Sequence, residues 1–145
     1  MEVQIKLLKE TAKLPEYATP GSAAADLHCA EDAPVTIEPG ARALLSTGIA
    51  IAIPSADIVA LIFPRSGLSS KFGITLSNCV GVIDSDYRGE IKVSLSNTSK
   101  EPYTVNPGDR IAQILFTNTL HPALTVTDEL SETQRGAGGF GSTGS

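Results

Sequence analysis

Apolar residues recur at every second position in several short stretches of this chain. "VQIKL" aligns Val3, Ile5 and Leu7, "IAIAI" aligns Ile49, Ile51 and Ile53, and "EIKVSLSN" aligns Ile91, Val93 and Leu95. "YTV" at Tyr103–Val105 repeats the pattern. A period of two is that of a β-strand with one buried face, because successive side chains point to opposite sides. "DIVALIF" and "RIAQILF" are almost continuously apolar and rich in branched residues, which suits strands covered on both faces. Turn-forming clusters separate these runs: "EPG" at Glu38–Gly40, "IPSAD" at Ile53–Asp57 and "NPGD" at Asn106–Asp109. Pro-Gly sets φ at about −65° and then above zero, as a type II turn requires. Only "SGLSSKFG", Ser66 to Gly73, has the makings of a helical turn or two. Many short strands with little helix predict an all-β sandwich, jelly roll or barrel.

Composition narrows the functional classes. A chain of 145 residues forms one domain, able to bury about two-thirds of its unfolded surface. Its net charge of −5 argues against nonspecific binding to nucleic acid or to an anionic membrane. No run approaches a membrane span, and "MEVQIKLLKE" lacks the apolar core of a secretion signal. A cytoplasmic protein without nucleic-acid or membrane partners is expected. Cys29 and Cys79 form no C-x-x-C pair, and His28 and His121 stand apart, so no zinc spacing exists. Both cysteines are expected to be small buried thiols in a reducing compartment.

Several stretches depart from a plain sandwich. In the terminal "RGAGGFGSTGS", Gly136, Gly138 and Gly141 have G-x-G-x-x-G spacing. A dinucleotide-binding turn needs a strand before it and a helix after it, and no helix fits in the four residues that follow. The alternatives are a disordered terminus, or a glycine nest for an anion with Arg135 as a phosphate grip and Phe140 as a stacking ring. "FPRSGLSS" presents Arg65, Ser66 and Gly67 at the start of the helical turn, where Ser66 could cap the turn or donate to phosphate. In "NCVGVIDSDYRGEI", Asp84 and Asp86 read either as an ordinary hairpin turn or as the source of a general base, shielded by Val82 and Ile83. Asp26 interrupts the small, apolar "SAAADLHCA", and a buried aspartate must be paired, hydrogen-bonded or near a metal. Arg110 and Gln113 interrupt "RIAQILF"; they lie at strand ends or outward, or Gln113 points into a polar site or a subunit interface. The set of arginines, hydroxyls, carboxylates and aromatics suits hydrolysis of a phosphate ester on a nucleotide.

Five of these stretches, in order, resemble the motifs of the homotrimeric dUTP diphosphatases: "AAADL", "PRSGLSSKFGI", "GVIDSDYRGEI", "NPGDRIAQILF" and "RGAGGFGSTG". The resemblance implies a jelly-roll homotrimer whose three active sites each draw on more than one subunit, converting dUTP and water to dUMP and pyrophosphate with Mg²⁺ on the triphosphate. It makes Asp84 the base that orients the attacking water. Arg65, Ser66, Gly67 and Gln113 would hold the phosphates, and Asp26 would meet the metal through water. Asn78 and the backbone of an Asn78–Tyr87 hairpin would read uracil, and Tyr87 would pack on the deoxyribose. Val82, Ile83 and Lys92 would lie near the nucleoside. Residues 1–134 would form the β domain, and 135–145 an arm reaching a neighbouring subunit, with Arg135 on the terminal phosphate, Phe140 stacking on uracil and Gly141 also binding the substrate. The dCTP deaminases, which this chain also resembles in its arginine–serine motif, carry a catalytic glutamate in the strand after the "GVIDSDYRGEI" turn; here that strand reads "GEIKVSLSN", with Ser94 near the expected position.

Overall fold

The computed structural model describes residues 1–139. Eleven strands and one helix follow in the order β1 (Gln4–Leu7), β2 (Ala25–His28), β3 (Val35–Ile37), β4 (Arg42–Ser46), β5 (Ile49–Ala52), β6 (Ile58–Phe63), α1 (Ser66–Phe72), β7 (Ile74–Leu76), β8 (Gly81–Ile83), β9 (Lys92–Asn97), β10 (Tyr103–Val105) and β11 (Arg110–Asn118). Among the described residues all strand pairings are antiparallel. One sheet has the order β2-β11-β6-β8 and a second β4-β9-β7, with β1-β5 and β3-β10 as two-stranded pieces. The fold is an all-β jelly roll with one short helix. Among the described residues no helix is long and apolar enough to cross a membrane.

The alternation in the sequence places the core between the sheets. Leu27, Ile62, Ile111 and Ile114 from the first sheet meet Leu45, Ile74, Leu76, Val93 and Leu95 from the second in one cluster. Each of these side chains, fully buried, contributes about 1.5–3 kcal/mol of apolar transfer. The "IAIAI" stretch departs from simple alternation, because Ile49, Ala50 and Ile51 are all buried. Small alanines between the isoleucines let both faces of β5 be covered. β1 departs the other way: Leu7 is 48% exposed.

The turns form as their residues dictate. Gly40 has φ +76° with Ala41 N–H donating to Glu38 C=O at 2.9 Å, and Gly108 has φ +84° with Asp109 N–H donating to Asn106 C=O at 3.1 Å. Helix α1 ends at Gly73, whose φ of +66° supplies a left-handed cap. Past Asn118 the described chain has no helix or strand, and Leu120, Leu124, Val126 and Leu130 are each at least 87% exposed.

Two expectations about the fold need correction. Asn78–Tyr87 is not a hairpin: β8 pairs with β6, while β7 and β9 pair with each other in the second sheet. The segment therefore crosses from one sheet to the other and back. Cys29 is buried as expected, but Cys79 is exposed with φ +62°. It occupies the turn where the chain leaves one sheet for the other, and no core lies beside it there.

Candidate active site

Two concave regions hold the residues singled out by sequence. The first, about 440 Å³, is lined by Asp26, Arg65, Ser66, Gly67 and Gln113, together with Arg110 and the walls Ala18, Ser22 and Phe63. Its floor is built by pairing, with Gln113 of β11 opposite both Asp26 of β2 and Phe63 of β6. Asp26, 9% exposed, receives a hydrogen bond from Arg65 Nε at 2.9 Å on Oδ1 and one from Arg110 Nη1 at 3.1 Å on Oδ2. One carboxylate thus holds two guanidinium groups in place, leaving the region with a positive excess for an anion. Gln113 Nε2 donates to Pro64 C=O at 2.9 Å, which fixes the corner where β6 gives way to α1. Ser66 makes no cap: Arg65 is the N-cap residue and the helix start has no side-chain cap bond. Ser66 is exposed on the wall of the first region.

Arg110 is a site residue that hydrophobic periodicity left open. In an unbroken strand, positions 110 and 113 face opposite sides of the sheet. Here the register with β2 shifts between Arg110 and Ala112. That bulge inserts one residue and brings Arg110 and Gln113 into the same concavity.

The second region, about 500 Å³, is lined by Val82, Ile83, Asp84, Tyr87, Glu90, Ile91 and Lys92. Asp84 directly follows β8 and is exposed. Tyr87 N–H donates to Asp84 C=O at 3.1 Å, closing the turn. Lys92 Nζ lies 3.8 Å from Glu90 Oε2. Asn78 is exposed on the connection before β8, and a Cβ at Gly81 would stand 3.7 Å from its Nδ2. At Glu90 burial opposes the charge, yet the Ser46 hydroxyl, the Gly48 N–H and the cations Lys92 and Lys9 outweigh it and hold the pKa below its ordinary value.

The two regions lie at opposite ends of β6. Ile83 is opposite Ala60, so Asp84 comes level with Val59, and Arg65 lies six residues farther along. At about 3.3 Å per residue that is about 20 Å. One chain brings Arg65, Ser66, Gly67, Gln113 and Asp26 together, and Asp84, Tyr87, Val82, Ile83 and Lys92 together, but not the two groups with each other. Arg135 is exposed, and its Nε donates to Gly138 C=O at 2.9 Å within the terminal segment. Phe140 and Gly141 lie outside the described residues.

Comparison with known proteins gives one answer at the level of sequence and of structure. The dUTPase family model matches residues 10–144. A deoxyuridine 5'-triphosphate nucleotidohydrolase of Desulfitobacterium hafniense is 54% identical over 132 residues, covering 91% of this chain and 87% of its own length. Among solved structures, the Staphylococcus bacteriophage 80alpha dUTPase with dUpNHpp has a TM-score of 0.90 at 30% identity, covering 99% of both chains. A point mutant of the dUTPase from phage phi11 of S. aureus, whose structure reveals the coordination of a structural Mg(II) ion, has a TM-score of 0.80 at 28% identity, covering 89% of this chain and 98% of that one.

Proposed function

Because the chain belongs to the dUTPase family, we infer that it hydrolyses dUTP to dUMP and pyrophosphate, acting in the cytoplasm as a homotrimer. The observation that carries this reading is the division of the chemistry along β6. An anion cradle and a carboxylate-bearing pocket lie about 20 Å apart on one chain, so a single substrate can use both only where a second copy closes the gap. Four nearly bare apolar side chains between Leu120 and Leu130 support the same assembly, since exposed apolar surface of this kind marks a contact.

In this site Asp84 orients and deprotonates the water that attacks the α-phosphorus. A positioned carboxylate of that kind supplies about 10²–10⁴-fold. Arg65, with Ser66, Gly67 and Gln113, holds the phosphate chain and neutralises the charge that develops on it. Asn78 and the backbone after it read the uracil edge, with Val82, Ile83 and Lys92 beside the nucleoside. Tyr87 occupies the space that a 2′-hydroxyl would need. The segment 135–145 closes over the ligand from a neighbouring subunit, bringing Arg135 to the terminal phosphate and Phe140 onto the uracil, with Gly141 also in contact with the substrate.

The residues fit a Mg²⁺ ion carried by the substrate. Among the described residues no three His, Cys, Asp or Glu side chains gather as a metal cage, and both Asp26 oxygens are taken by arginines. Mg²⁺ keeps several waters and binds through substrate phosphates where the protein offers few ligands. Asp26 would therefore meet it through that water shell, and the ion would supply neutralisation of the triphosphate.

Incubation of dUTP, UTP, dTTP and dCTP with Mg²⁺, scored for pyrophosphate and for ammonia, tests this function. Pyrophosphate from dUTP, well above the other three, is the expected result. Asp84→Asn should lower kcat by about 10² or more while nucleotide affinity stays within a few-fold. Ammonia release from dCTP, or binding of dUTP without turnover, would overturn the reading.

A further inference from the structure

Tyr87 is an unusual specificity residue, because it is 43% exposed on the chain. A ring with that much freedom would exchange rotamers unless something held it. Two neighbours do. Its hydroxyl donates to the Glu90 C=O at 3.0 Å, which folds the side chain back over the turn. The ring then lies against Gly89, where an added Cβ would stand 2.4 Å from the hydroxyl oxygen and 2.6 Å from Cζ. Gly89 does not have the left-handed φ that favours glycine. The Tyr87 ring, not the backbone, is what excludes a side chain there.

The carbonyl that receives the Tyr87 hydroxyl is itself anchored. The Glu90 carboxylate is fixed by its own partners, Oε1 accepting from the Ser46 hydroxyl and from Gly48 N–H at 3.0 Å. Next to it, Ile91 N–H donates to Ile49 C=O at 2.9 Å, tying the same strand entry to β5. Ser46 N–H donates in turn to Glu31 Oε1 at 2.7 Å. The chain of contacts runs from the Tyr87 ring to the buried turn between β4 and β5.

We propose that Gly89 and Glu90 are positioning residues that clamp the Tyr87 ring, and that this clamp sets how strictly the site separates deoxyribose from ribose. The proposal rests on the role given to Tyr87 above. Gly89 acts by its missing side chain and Glu90 by tethering the carbonyl that holds the hydroxyl.

A double-mutant cycle on the assembled enzyme tests it, read as the ratio of kcat/KM for dUTP to that for UTP. Gly89→Ala should lower this ratio by about tenfold or more, because the ring must leave its position. In a Tyr87→Ala background the same substitution should change the ratio less than about twofold, since the three nearest atoms, all of the Tyr87 side chain, are gone. Glu90→Ala should also lower the ratio, and Glu90→Gln, which keeps an acceptor for Ser46, should restore most of it. If Gly89→Ala does not fold, the Glu90 pair decides alone. An unchanged ratio in Gly89→Ala, or equal effects with and without Tyr87, would overturn the clamp. A wild-type enzyme that never prefers dUTP would instead remove the reading on which the clamp depends.

Discussion

Arg65 Nε stands 2.9 Å from Oδ1 of Asp26, a bond that ties the far end of β6 to β2 across the strand between them. Arg110 takes the other oxygen from that intervening strand. Two strands and the corner after a third thus meet at one carboxylate, which shapes the concavity they line.

Asp26→Asn should expose that dependence. The amide keeps the size of the side chain but leaves two guanidinium groups without their counter-charge. Removing one partner of a largely buried ion pair costs about 3–5 kcal/mol, and the partial exposure of both arginines reduces this to about 1–2 kcal/mol here. Turnover should fall by about 10²-fold, because Arg65 loses its orientation. A denaturation midpoint and a kcat, measured on the same preparation, check both. Wild-type turnover in this variant would show that the arginines hold their positions unaided.

Half-sites at opposite ends of β6 should complement each other between chains. Subunits with Asp84→Asn and subunits with Arg65→Ala should each be nearly inactive. Refolded together, they should recover activity, because some sites then combine an intact base with an intact arginine. Each variant refolded alone provides the baseline. A mixture that shows no recovery, although mixed trimers are seen by mass spectrometry, would place base and arginine on the same chain.

His28 should make stability depend on pH. Its pKa lies below 6.5 because of burial first and Lys13 second, with Arg110 adding to the effect and Asp26 and Glu16 opposing it. Among the described residues its buried Nδ1 has no hydrogen-bond partner. The unfolded chain therefore takes up a proton at higher pH than the folded one. Stability tied to His28 is complete above 6.5 and is lost as pH falls through the window between the two values. Urea midpoints taken between about pH 7 and pH 5 should decline in the wild type, and decline less in His28→Gln. Identical slopes would remove His28 as the cause.

Much of the architecture was legible in the residues themselves. Strands at "VQIKL", "IAIAI", "EIKVSLSN", "YTV", "DIVALIF" and "RIAQILF", the Gly40 and Gly108 turns and the short helix all form where the pattern placed them. The partners of β8 were not legible, because three residues carry too little alternation to state which sheet they join. Asp26 could be recognised as needing a partner, and it has two. Arg110 could not be placed, since a bulge resets the side of the sheet on which it emerges and bulges leave no mark on hydrophobic spacing. Glu90 was hidden for a different reason. Its value lies in contacts with Ser46 and Gly48, more than 40 positions away, and no short motif records a contact of that range.

A site shared along β6, as proposed, would make catalysis a matter of mass action. With the cradle at one end of the strand and the carboxylate at the other, a lone folded subunit would be an incomplete catalyst. Activity per chain should then fall with dilution at concentrations where every chain is still folded, following the dissociation constant of the assembly and not the unfolding curve. Substrate that spans two chains would act as glue, shifting that threshold downward as its own concentration rises. Such an enzyme would sense its own abundance and its substrate's together.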